Sequence, residues 1–189
     1  MVARDLVAVV LAALVVAVLG LHPSTLAGVC LAAVTPELAR VDLREHRLPN
    51  RMVVPGIVAG LVASGLGAAL SATPGTGLAG AVLGATRGDA LVPLVAALAF
   101  GGALGVMALA GGIGMGDAKL AAFIGLASPA PGIALAAPVL AFLIGGVAAL
   151  VVLVRAGRGA RIPFGPALLA GYWAAVVLAG LGSGWTGLP

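Results

Sequence analysis

A chain of 189 residues that is 62% hydrophobic and only 8% charged lacks the polar residues to cover itself in water, since a soluble domain carries roughly 25% charged residues. Its net charge of +4 comes from basic residues scattered between apolar runs, a pattern that marks membrane topology rather than a nucleic-acid surface. The single cysteine, Cys30, excludes an internal disulfide and any paired-cysteine metal site.

Seven helical runs are expected in chain order, an all-α polytopic membrane bundle forming one domain over residues 1–189. The first covers residues 6–21 and is expected to be a retained helix, because it is long for a signal-peptide core and a second span follows after only three residues, His22, Pro23 and Ser24. The second runs from 25 to about 41. A polar loop over 42–51 follows, holding Asp42, Arg44, Glu45, His46, Arg47, Pro49 and Asn50. The third run is 52 to about 70 and the fourth about 90–110. Between them, 71–89 is the least patterned stretch, with 77–86 readable as a short interfacial helix or as loop. A glycine-rich segment, 111–116, leads into a short fifth run, 118–126. The sixth is 133–154 and the seventh 162–181. Several runs reach the roughly 17–25 residues that span a bilayer. Small-residue spacings such as Gly56-x-x-x-Gly60 and Gly101-x-x-x-Gly105 suit close helix packing in lipid. Trp185 is placed to anchor the outer interface.

Basic residues favour the cytoplasmic side of a membrane protein. With the N-terminus inside and seven crossings, nine of the ten basic residues fall inside and only Arg87 outside. Inverting the chain reverses that count. The orientation follows, and it places both Asp42 and Asp117 at the cytoplasmic edge.

Six acids are available for chemistry. Asp5 and Asp89 sit at helix starts, where the dipole favours a carboxylate. Glu37 and Glu45 are the acids available to hold a basic peptide, although Glu45 among arginines reads more simply as a solvated counter-charge. Asp42 follows a helix, at the dipole's unfavourable end, where Arg40 and Arg44 can offset it as an ion pair. Asp117 precedes Ala118-Lys119-Leu120, where an ordinary N-cap is the simple explanation. Its setting argues for more: Gly111-Gly112-Ile113-Gly114-Met115-Gly116-Asp117 holds four glycines in six residues, too many for one turn, and glycine permits close backbone approach. Such a segment lets an extended peptide lie beside a carboxylate. His46 reads as loop surface, and no metal ligand set has suitable spacing.

Gly114-Met115-Gly116-Asp117 followed by Ala118-Lys119-Leu120 resembles the GxGD signature of the type IV prepilin peptidases, membrane aspartic proteases. Asp42-Leu43-Arg44-Glu45-His46-Arg47-Leu48-Pro49-Asn50 is similar to that family's earlier aspartate and basic loop. Ile162-Pro163-Phe164-Gly165-Pro166 matches the opening of its last helix. The likeness runs from residue 39 to about 170, with three motifs in family order. It implies that Asp42 and Asp117 are the catalytic aspartates, with Gly114, Gly116, Lys119, Pro163 and Gly165 supporting the site or substrate. It further implies cleavage of a short basic leader from pilin-like precursors that carry a hydrophobic N-terminal helix, at the cytoplasmic face of a bacterial inner membrane. No metal or organic cofactor and no nucleic acid are expected, only precursor and lipid. Family members that also N-methylate their product carry an inserted domain with paired CxxC motifs. One cysteine leaves no place for it, so the chain resembles the short peptidase-only form, and methylation would fall to another protein.

Local dipoles suggest a division of labour, with the resting negative charge on Asp117, which starts a helix beside Lys119, and the proton on Asp42, which ends one. Two other functions compete. A small transporter would use the aspartates as a cation pathway, although no inverted repeat is evident. A catalytically silent assembly factor would not need them.

Overall fold

The computed structural model describes residues 2–20, 23, 25–45, 48–72, 87–156 and 163–185. The segment 77–86, His46 and the side chain of Trp185 lie outside the described residues. Within them the chain forms seven helices and no strand: α1 (Val2–Leu19), α2 (Thr25–Glu45), α3 (Asn50–Ala72), α4, α5 (Met115–Leu126), α6 (Pro131–Ala156) and α7 (Gly165–Trp185). Helix α4 runs Arg87–Ala96, widens into a π-helical stretch Ala97–Gly101, and resumes as Gly102–Leu109. The all-α architecture expected from composition is present, and the chain is a multi-pass membrane protein. Four stretches are long and apolar enough to cross a membrane: Asn50–Ala69, Leu91–Leu109, Pro131–Arg155 and Gly165–Gly182.

Two boundaries differ from expectation in ways that matter. Helix α2 continues through Glu45, so Asp42 is not the first residue of a loop but lies inside the helix's last turn and is buried. Helix α5 starts at Met115, so Asp117 sits in its first turn rather than capping it. The N-cap is Gly114, with ordinary extended angles (φ −78°, ψ 144°).

At 12 residues, α5 is about 18 Å long, well short of a hydrocarbon layer of about 30 Å. It is shielded by protein instead. Ala118, Leu120, Ala121 and Phe123 through Leu126 are all buried, against α2, α3, α4 and α7. A half-length element inside a membrane is tolerated where protein surrounds it. The fifth expected run is therefore a short central helix packed among α2, α3, α4 and α7.

Glycine makes that enclosure possible. A Cβ on Gly125 would lie 2.4 Å from Ala97 Cα, and one on Gly101 would lie 2.6 Å from Ala122 Cβ, so the π stretch of α4 presses directly on α5. Gly56 and Gly60 both face α5, meeting the Phe123 ring and Leu126, as the small-residue spacing anticipates. The second such spacing is half realised: a Cβ on Gly105 would meet nothing within 4 Å. Because the obstacle at Gly125 is backbone, Gly125→Ala is expected to cost about 1–3 kcal/mol. Gly65→Ala, where a Cβ has open space, serves as its control. Thermal unfolding in detergent checks this, and equal midpoints for the two variants would contradict the packing.

Polar groups tie these helices together. The Tyr172 hydroxyl, fully buried on α7, donates to the Ala127 carbonyl just beyond α5 at 2.9 Å. Trp173, edge-on to Tyr172, donates through Nε1 to Thr35 Oγ1 on α2 at 3.2 Å. Phe164 packs against Gly145 and tilts onto Phe142 of α6 with ring centroids 5.5 Å apart. The first half of α7 is thereby held against α2 and α5, and the residue that precedes it against α6.

Candidate active site

The three motifs that lie far apart in sequence meet at one end of the bundle. Asp42 Oδ2 accepts a hydrogen bond of 3.1 Å from the backbone N–H of Gly165, the first residue of α7. That N–H belongs to a helix N-terminus, which carries partial positive charge. A Cβ on Gly165 would lie 2.6 Å from Asp42 Oδ2 and 3.1 Å from its Cγ. Glycine is needed there because the carboxylate occupies the space a side chain would take.

The glycine-rich segment resolves into separate tasks. Gly111 adopts φ +80° and terminates α4. Its N–H bonds Ala108 O, and the N–H of Gly112 bonds Met107 O, both at 3.0 Å, which is the Schellman pattern of a left-handed C-terminal residue. Gly114 begins α5, its carbonyl accepting the Asp117 N–H at 3.1 Å. Gly116 faces Leu48: a Cβ there would lie 3.0 Å from Leu48 Cβ and 3.5 Å from Cδ1. Leu48 Cδ2 would in turn lie 3.5 Å from a Cβ on Gly165. Lys119 Nζ donates to Asn50 Oδ1 at 3.0 Å, joining α5 to the start of α3. Gly116 and Gly165 thus meet through Leu48 beside the aspartates, and Lys119 is tied to Asn50, two residues farther along the same segment. Pro163 is half-buried and leads into it through Phe164. Sequence reasoning gave Leu48 and Asn50 no task of their own, although both lie in the quoted loop motif. A leucine directly after the charged run 44–47 was the available signal.

Asp117 lies outside the four apolar spans and is half-buried. Burial, then the charge of Asp42, push its carboxyl up from the usual range to about 6, while the Gly114 backbone N–H opposes the rise. The charge of Asp42 thus opposes ionisation of Asp117, as between paired carboxylates.

Glu37 is engaged elsewhere, in an ion pair with Arg4 on α1 and another with Arg40. Among the described residues, no group of three or more His, Cys, Asp or Glu could hold a metal ion. A cavity of about 600 Å³ opens between α4 and α6, lined by apolar residues including Val95, Ala103, Met107 and Leu135. It holds neither aspartate and offers no acid, base or hydrogen-bonding side chain.

A family model, that of the type IV leader peptidase family, matches residues 25–154, more than half of the chain. Comparison with curated proteins gives no match, and neither does comparison with solved structures.

Proposed function

Because the chain belongs to the type IV leader peptidase family and is a membrane peptidase, we propose that it is an aspartic endopeptidase whose working groups are Asp42 and Asp117. Its substrates are pilin-like precursors, from which it removes the short basic leader at the cytoplasmic face of a bacterial inner membrane. The observation that carries this reading is the meeting of both carboxylates at one end of the bundle, one held by Gly165 and the other raised by burial and by its neighbour's charge.

The chemistry follows from two acids sharing one proton. A backbone N–H and the start of α7 favour negative charge on Asp42. Burial and that charge favour the proton on Asp117. This reverses the division drawn from each residue's own helix, because the dipole acting on Asp42 Oδ2 belongs to α7. Asp42 takes a proton from water as the water oxygen bonds to the scissile carbonyl carbon, and Asp117 gives its proton to the carbonyl oxygen. When the intermediate collapses, the C–N bond breaks, the carbonyl re-forms and returns that proton to Asp117, and the leaving amine takes the proton held on Asp42. Both carboxylates return to their starting states.

The sign of the pH dependence is fixed by Asp117. Its proton is present below about 6 and lost above. Cleavage measured as kcat/KM is therefore expected to fall as pH rises through that region, as loss of a required acid does. A rate that climbs from pH 6 to pH 8 in a reconstituted assay would contradict the assignment.

The test of the function itself is reconstitution of the purified protein in vesicles with a pilin-like precursor. Release of the leader is expected, without proton or cation flux. Flux with the precursor left intact would favour the transporter instead.

A further inference from the structure

We infer that Leu48 is a positioning residue whose branched side chain sets the separation of Asp42 and Asp117. The inference rests on the proposed reading of those two carboxylates as a pair. Leu48 is half-buried and packs on the hydrophobic core although it follows the charged run Arg44-Glu45-His46-Arg47. Its two δ-methyl groups point to different helices. Its Cβ and Cδ1 would lie 3.0 and 3.5 Å from a Cβ on Gly116, the residue immediately before Asp117, and its Cδ2 would lie 3.5 Å from a Cβ on Gly165, whose N–H holds Asp42. One side chain thus fills the space beside both glycines, next to one carboxylate and next to the residue that bonds the other. Neither glycine has a side chain, so the width of the gap between the start of α5 and the start of α7 is filled by the leucine.

Two residues on, Asn50 accepts from Lys119 and fixes the lateral position of α5 against the same segment. That tie can restrain sliding, but it does not fill the space between Gly116 and Gly165. The wedge does.

A wedge that positions reacting groups affects the chemical step more than binding. Misplacement by about 1 Å costs on the order of 100-fold. In the vesicle assay, Leu48→Ala is expected to lower kcat by about 10- to 100-fold with KM nearly unchanged. Leu48→Met, which keeps the length, is expected to recover most of the rate. Leu48→Ile keeps volume and apolarity, so it preserves folding, but moves a methyl from the δ to the γ position and loses the reach to one glycine. Its kcat is expected to fall while its unfolding midpoint stays near wild type. A merely structural leucine would treat Ile and Met alike, and would change the amount of folded protein rather than kcat. If Leu48→Ala does not fold, Leu48→Ile decides. Wild-type kcat in Leu48→Ile would overturn the inference. The same assay includes Asp42→Asn and Asp117→Asn: if these cleave normally, the paired-carboxylate reading has failed. If they are inactive while Leu48→Ile behaves as wild type, only the wedge has failed.

Discussion

Asp42→Asn and Asp117→Asn are each expected to lower leader cleavage by at least about 10⁴-fold, because members of one catalytic unit are individually indispensable. Asparagine preserves the shape of each side chain. At position 42 its amide oxygen can still accept from Gly165 N–H, the bond that now reaches Oδ2 at 3.1 Å. Fold and precursor binding should therefore persist, which separates loss of the acid from loss of the protein. What disappears differs between the two. In the proposed mechanism, without the Asp42 carboxylate nothing takes the proton from water, and without the Asp117 proton nothing activates the carbonyl. Cleavage rates, with thermal unfolding of each variant as the control, check this. A variant that cleaves within a few-fold of wild type would remove that residue from the mechanism.

Gly165→Ala is expected to be the most damaging substitution outside the two aspartates, lowering kcat by on the order of 100-fold through displacement of a catalytic group. The new methyl would lie 2.6 Å from Asp42 Oδ2, closer than non-bonded atoms approach. Either the carboxylate turns away, losing its backbone donor, or the start of α7 retreats. Retreat is resisted because Phe164 is lodged against Gly145 and Phe142. The effect should grade along the motifs. At Gly116 the obstacle is Leu48 at 3.0 Å, a side chain that can give a little. At Gly114 the nearest atom is Asp117 Oδ2 at 3.4 Å, an ordinary contact, and the backbone angles suit any residue. Gly146→Ala on α6, where a Cβ meets nothing within 4 Å, is the neutral control. Rates falling in the order Gly146, Gly114, Gly116, Gly165 would bear out the geometry. An active Gly165→Ala variant would deny it.

Much of this was legible in the sequence, for reasons that can be named. The apolar runs and the scarcity of charge dictate a helical membrane protein, because lipid leaves the backbone few other ways to satisfy its hydrogen bonds. The Gly56/Gly60 spacing foretold a helix contact, and α5 supplies it. The two aspartates stood out as acids beside unusual local sequence. Less legible was anything that depends on a second helix. The last turn of α2 carries Arg44 and Glu45 and reads as loop, so Asp42 looked like a residue beyond a helix end rather than a buried one within it. Its environment is set by Gly165, 123 positions away, and no local dipole argument can include that. The shortness of α5 was visible, but not that its neighbours would bury it. Leu48 was visible as a motif letter and invisible as a contact.

The most direct test of the pair is a comparison of Asp42→Asn, Asp117→Asn and the double variant in one vesicle cleavage assay. If the two carboxylates form a single proton-sharing centre, the residual rate of the double variant equals that of either single variant, since the unit is already lost. If their losses multiply, or if either single variant retains the wild-type rate, Asp42 and Asp117 do not act as one centre.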